Sequence, residues 1–234
     1  MNKNKIISIA SIVVALVIVI GAIWYVSSKQ SPNGDGNGMS SAGLSISGLQ
    51  KIGSENAPFT ILEFGDFQCV ACAQLFASIM PKVKTEFIDT GKANMVYKTL
   101  TFIDGYANKI GNGESWLSAQ AVECSTEQGK FWDMYDAIFN AEVEELSKGT
   151  QNENSGNLTR KFMIESAQKI GMDKDKFSSC LDNQKYTKNI EGYDKDMRDA
   201  GITGTPSVFI IKKGGEATKL TNPFDLTEYE KIIR

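Results

Sequence analysis

"FGDFQCVACAQL" spans residues 64–75, and its two cysteines, Cys69 and Cys72, stand where an apolar run gives way to a helical pattern. Upstream, FTILEF (59–64) suits a buried strand. Downstream, Leu75, Ile79, Val83 and Phe87 recur every four residues, the apolar stripe of a helix, and Pro81 predicts a kink inside it. ANMVYKT (93–99) suits a second strand, so the stretch reads as a β-α-β unit whose strands run parallel. A cysteine pair at that junction is a metal clamp, a staple or a redox dithiol, and the surrounding sequence has to choose.

The next clear strand, SVFII (207–211), comes about a hundred residues later, far more than the dozen or so a crossover needs. The intervening segment, about 105–200, therefore reads as an inserted subdomain, and it looks helical throughout. Phe131, Met134, Tyr135, Ile138 and Phe139 keep the 3.6 period. Phe177, Cys180 and Leu181 do the same over a shorter turn, and Tyr186, Ile190, Tyr193 and Met197 over another. Asn157 and Gly171 suit the N-cap and the C-terminal stop of a further helix. After the late strand, Gly214-Gly215 suits a two-residue hairpin turn and FDLTEYEKII a closing helix. The expected order is β, α, β, a helical block, β, β, α.

The chain has 234 residues, 41% of them hydrophobic, enough for one good core and little beyond it. Its formal charge of −3 shows no nucleic-acid footprint. It contains 0 histidines, which excludes Ser-His-Asp and Cys-His catalysis and every His-ligated zinc or copper site. Ile6 to Val26 is uncharged and long enough to cross a bilayer as a helix, preceded by Lys3 and Lys5 and ended by Trp24 and Tyr25. Residues 1–26 are therefore expected to be a retained signal anchor with the rest of the chain outside the cytoplasm, a cleaved signal peptide being the alternative. Residues 27–43, rich in Ser, Gly and Asn, read as a flexible stalk, leaving 44–234 for the globular domain.

Four segments, ILEFGDFQCVAC (61–72), AVECSTEQGKFWDMYDAIF (121–139), FSSCL (177–181) and GITGTPSVFII (201–211), in that order, resemble the DsbA-like thiol:disulfide oxidoreductases of the thioredoxin superfamily. The resemblance covers about residues 50–233 and implies an α/β thioredoxin fold with an inserted helical domain. It implies activity in disulfide exchange on exported proteins.

The residues themselves agree with that chemistry. A cysteine at a helix N-terminus sits among unpaired N–H groups at the positive end of the macrodipole, which favours thiolate, so Cys69 is the expected nucleophile. Cys72, one turn on and more covered, is the expected resolving thiol. Glu63 lies six residues before Cys69, where the resembling enzymes place a buried acid able to exchange a proton with Cys72; a strand residue pointing to solvent is the other reading. Lys98 either pairs with Glu63 or marks an exposed strand end. Cys124 and Cys180 are buried apolar cysteines, two ligands of a Cys₄ zinc site with Cys69 and Cys72, or a disulfide. An extracytoplasmic helical block favours the disulfide, and family members with a second disulfide there support it. The resemblance further implies a cis Thr205-Pro206 bond facing Cys69 and binding substrate.

Between the cysteines stand Val70 and Ala71, where strongly oxidising members carry Pro and His, so a less oxidising couple is expected. The expected function is a single-pass membrane enzyme, monomeric and without cofactor or metal, that introduces disulfides into unfolded or reduced exported proteins. The resemblance implies reoxidation by a quinone-linked membrane partner, DsbB-like or vitamin K epoxide reductase-like. A thiol reductase or isomerase is the alternative within the chemistry, and a metal-binding or structural ectodomain the alternative outside it.

Overall fold

The computed structural model describes residues 43–107, 111–149 and 153–234. The anchor expected over 1–26 and the stalk up to residue 42 lie outside the described residues, among which no helix is long and apolar enough to cross a membrane.

Two strands form the centre. β2 (Phe59–Gly65) and β3 (Ala93–Thr99) pair in parallel and are buried along their whole length. β1 (Ile52–Gly53) adds antiparallel to β3, β4 (Ser207–Lys212) antiparallel to β2, and β5 (Ala217–Lys219) antiparallel to β4, giving the order β1-β3-β2-β4-β5. A two-residue strand such as β1 has no periodicity to read, and the sequence did not announce it.

The crossover between β2 and β3 is α1 (Val70–Ser78), a short α2 (Met80–Val83) and a π-helical turn over Lys84–Ile88. The break falls at Ile79, two residues before Pro81. The proline thus sits in the first turn of α2, where its missing N–H leaves no bond unmade. Among the described residues six α-helices lie between β3 and β4: α3 (Phe102–Tyr106), α4 (Glu114–Ser125), α5 (Phe131–Ser147), α6 (Arg160–Lys169), α7 (Lys174–Asp182) and α8 (Thr187–Asp199). α9 (Leu226–Ile232) closes the fold.

Two local expectations are corrected. Helix α6 is capped by Thr159, whose hydroxyl accepts from Phe162 N at 3.1 Å, while Asn157 lies outside the helix and donates its side-chain amide to Glu142 at 2.6 Å. Gly171 does end α6, with φ +80°. The β4–β5 connection is longer than a two-residue hairpin: Ile211 pairs with Ala217, and the tight turn centres on Lys213 and Gly214, with Gly215 N bonded to Lys212 O at 2.8 Å. Gly214 takes the positive φ, +71°, that the turn requires.

The parallel register sets the faces of the sheet. Ile61, Glu63 and Gly65 lie beside Met95, Tyr97 and Thr99, so these six share one face. It packs on α1, α2 and α9 through Leu75, Val83 and Tyr229. A second apolar cluster joins the active-site end of α1 to the insertion through Phe67, Cys72, Tyr97, Tyr135 and Phe139. Phe64 and Lys98 lie on the opposite face.

Candidate active site

The loop Asp66-Phe67-Gln68 carries the chain from β2 into α1, and Cys69 is the N-cap. Cys69 N donates to Asp66 O at 3.0 Å, closing a turn that aims the next residues into the helix. Cys69 is only 6% exposed, and its sulfur accepts from Cys72 N at 3.4 Å. Cys72 is fully buried, and both cysteines are thiols in this structure. Across the cleft, the cis Thr205-Pro206 bond brings the Thr205 carbonyl to 3.5 Å from the Cys69 sulfur, within reach of the protonated thiol.

These surroundings split the two thiols. A hydrogen bond from the Cys72 thiol lowers Cys69 to about 6, helped by the Thr205 side chain and the Cys72 and Ala71 N–H groups, against the opposing effect of burial. Burial holds Cys72 well above the ordinary thiol range, and the adjacent Cys69 and Glu63 charges push it further. Cys72, the Thr205 side chain and the main chain supply this stabilisation, which explains how Val70-Ala71 can flank a depressed thiol without offering a side-chain donor.

Glu63 lies beneath the pair. It is 1% exposed, and burial, then the charge of Cys69, raise its carboxyl to about 8. Its Oε2 has no hydrogen-bond partner among the described residues. Tyr97, its register neighbour on β3, and Tyr135, whose ring stands 4.9 Å from that of Tyr97, are likewise buried with unpartnered hydroxyls. Gly65 leaves room for Tyr97: a Cβ at 65 would stand 2.5 Å from the Tyr97 hydroxyl.

Lys98 follows neither expectation. It pairs in register with Phe64, not Glu63, so the sheet separates it from the acid. Nor is it exposed: its amine binds Asp196 of α8 at 2.7 Å and the Gly43 carbonyl at 2.7 Å. Gly43, at the end of the stretch read as stalk, is held there, with Asp196 O inside the space a side chain would need.

Cys124 of α4 and Cys180 of α7 form a disulfide with Cα atoms 5.9 Å apart. The bond uses two of the chain's 4 cysteines, so a Cys₄ zinc site is incompatible with it.

Sequence reading missed a polar network beside Cys69. Gln68 is fully buried and donates from Nε2 to Asp104 Oδ1 at 2.9 Å and to Ser115 Oγ at 2.7 Å; its Oε1 accepts from Asn154 N at 2.6 Å. Asp66 accepts from Gln68 N at 2.9 Å and Ile103 N at 2.9 Å, and burial raises it to about 7. Polar residues read as fully buried beside a C-x-x-C would have been the signal, but burial at 66, 68 and 104 depends on contacts 36 and 47 positions away.

A thiol of depressed pKa at a helix N-cap, a fully buried thiol one turn on and a buried acid beneath them, at a strand-to-helix junction, are the parts of a thioredoxin-type redox site. The family model described as "Thioredoxin" matches residues 48–233, and the chain belongs to that family, among its DsbA-like thiol:disulfide oxidoreductases. Its relatives include the probable disulfide bond formation protein D of Bacillus cereus, 28% identical over 213 residues, covering 90% of each chain. Disulfide bond formation protein D of Bacillus subtilis is 28% identical over 184 residues, 76% of this chain and 74% of that one. Among solved structures, oxidised BdbD from Bacillus subtilis superposes with a TM-score of 0.66 at 22% identity, covering 81% of this chain and 92% of that one. Wolbachia pipientis alpha-DsbA1 gives 0.64 at 19% identity, covering 83% and 94%.

Proposed function

We propose that the protein is a membrane-anchored, extracytoplasmic oxidase that introduces disulfides into exported proteins through the Cys69/Cys72 couple. The observation that carries this reading is the split between the two thiols, Cys69 lowered to about 6 and Cys72 held high. A couple whose reduced form is stabilised as a thiolate gives up its disulfide readily. In the oxidised enzyme, a substrate thiolate attacks the Cys69 sulfur, the Cys69–Cys72 bond breaks, and Cys72 leaves as a thiolate that takes a proton from Glu63. A second substrate thiolate then attacks its own half of the mixed disulfide and releases Cys69 as thiolate. Substrate loses two electrons and the enzyme gains them. The Thr205-Pro206 edge holds the substrate backbone beside Cys69 during the exchange.

The names of the relatives support the direction of oxidation, and the uncharged stretch Ile6–Val26 supports the anchor. Turnover then needs an electron acceptor, and a quinone-linked membrane partner fits an anchored domain. The test is the reduction potential of the Cys69/Cys72 couple, measured together with oxidation of a reduced, unfolded protein. A potential roughly between −270 and −120 mV with net formation of substrate disulfides is expected. A potential at or below about −270 mV with no substrate oxidation would make the protein a reductase. Membrane retention and protease accessibility of the full chain in cells test the anchor and its orientation.

A further inference from the structure

The segment entering α1 is held from outside the thioredoxin part of the fold. Gly113, at the N-cap of α4, has no side chain to cap the helix, and the Asp104 carboxylate fills that space. Asp104 Oδ2 accepts from Trp116 N at 2.8 Å and Oδ1 from Ser115 N at 3.3 Å, so an acid on α3 caps α4. The same Oδ1 accepts from Gln68, and Ser115 Oγ accepts the second amide hydrogen while its hydroxyl donates to Asp66. Every amide group of the Gln68 side chain is thus bonded to the insertion, one residue before the nucleophile. A buried glutamine with no exposed atom to serve substrate, its Nε2 bonded to two helices of the insertion and its Oε1 to the main chain of Asn154 in the loop between α5 and α6, is a fixture.

We propose that Gln68 is a positioning residue for Cys69: clamped by Asp104 and Ser115, it fixes the start of α1 so that the Cys69 sulfur stays on the Ala71 and Cys72 N–H groups. The helical insertion then sets the ionisation of the nucleophile as well as covering the site. The inference rests on Cys69 being the exchanging thiol. The titratable groups around Cys69 are Cys72 on its own helix, Glu63 on β2 and Asp66 in the loop before it, and Gln68→Met, which keeps the residue 68 N–H that Asp66 accepts, replaces none of them. Freed of its amide bonds, the 66–69 turn samples orientations in which the sulfur loses N–H contacts, and the thiolate becomes less favoured.

The experiment uses Gln68→Met, which keeps length and removes the amide, in the reduced full-length protein. Cys69 is titrated by ultraviolet thiolate absorbance and by its rate of alkylation with iodoacetamide against pH. The titration midpoint is expected to rise by about one pH unit, lowering the thiolate fraction and alkylation rate at pH 6 about fivefold, while the limiting rate at high pH is kept. Ser115→Ala, which removes one of the two acceptors together with the hydroxyl that donates to Asp66, moves the midpoint the same way by less, and the same shift in Ser115→Ala made on an Asp66→Asn background separates the clamp from the Asp66 charge. The paired Cys124→Ala and Cys180→Ala changes, which weaken the insertion elsewhere, leave the midpoint in place. A folded Gln68→Met protein that melts lower but titrates like the parent overturns the proposal, and should Gln68→Met fail to fold, an unmoved midpoint in Ser115→Ala overturns it. Because iodoacetamide replaces substrate, these outcomes stand apart from the direction of electron flow: a reductase would show the same shift.

Discussion

Cys124 and Cys180, 56 positions apart, are bonded, whereas Cys69 and Cys72, three positions apart, are thiols, although all four lie in one apolar cluster. The surroundings of each sulfur set what the two pairs can do. Cys69 sits on the open end of a helix with N–H groups aimed at it and a covered thiol beside it, so its reduced form has a stabilised charge. Cys124 and Cys180 each lie within a regular helix, away from any exposed helix start, and their bond ties α4 to α7. Cysteine chemistry here follows the position of the sulfur on its helix, and burial alone does not distinguish the pairs.

That contrast can be broken at either pair. The largest effect is expected from Cys69→Ser, which should lower disulfide exchange by about a thousandfold or more while leaving the 124–180 bond intact, as followed by a refolding assay. The paired change Cys124→Ala and Cys180→Ala should do the reverse. Loss of a cross-link spanning 56 positions costs about 4 kcal/mol by loop closure, read as a lower denaturant midpoint, with exchange largely kept. Loss of activity at unchanged stability would make the second disulfide part of an electron relay.

Glu63 sharpens the contrast because it belongs to one pair only. Its carboxyl, raised to about 8 from the ordinary 4.5, keeps a proton in the folded state that the unfolded chain releases. The stability this gives is whole below pH 4.5 and lost as pH climbs through 8, so wild-type stability should fall over that window. Glu63→Gln should flatten the fall and leave the protein more stable than wild type at pH 8, while slowing Cys72-dependent steps on the order of a hundredfold. The groups facing Glu63 are Cys69 and Cys72 on α1, Tyr97 on β3, Tyr135 on α5 and Tyr229 on α9, and each remains in the variant. A parallel pH dependence in wild type and variant would remove the acid from the mechanism. The smallest effect is expected at Gly65→Ala, where displacing the Tyr97 hydroxyl should destabilise by about 1–3 kcal/mol in denaturant unfolding and slow exchange only a few-fold.

What the sequence made legible was local or periodic. The strand before Cys69, the β-α-β unit, the helical block and the late strand after Pro206 all follow from spacings within a dozen residues. Lys98 was out of reach because its partner depends on the register between β2 and β3: Glu63 opposite Tyr97 puts the lysine on the other face, against Asp196. The α6 cap was misplaced by two residues because Asn157 is as good a cap as Thr159, and only its bond to Glu142 removes it from the helix. The Asp66-Gln68-Asp104-Ser115 network was invisible for the same reason as Lys98. Its members look like loop and surface residues until the insertion folds back over them.

The most direct test of the division of labour in the active pair is trapping. Cys72→Ser and Cys69→Ser proteins are each incubated, oxidised at the remaining cysteine by an activated aromatic disulfide, with a reduced unfolded protein, and mixed disulfides are resolved on non-reducing gels. With Cys69, the N-cap cysteine facing the Thr205 edge, as the nucleophile and the fully buried Cys72 as the resolving thiol, Cys72→Ser should accumulate a long-lived Cys69–substrate disulfide and Cys69→Ser should accumulate none. Accumulation in Cys69→Ser instead would reverse the two roles and contradict the reading of the site.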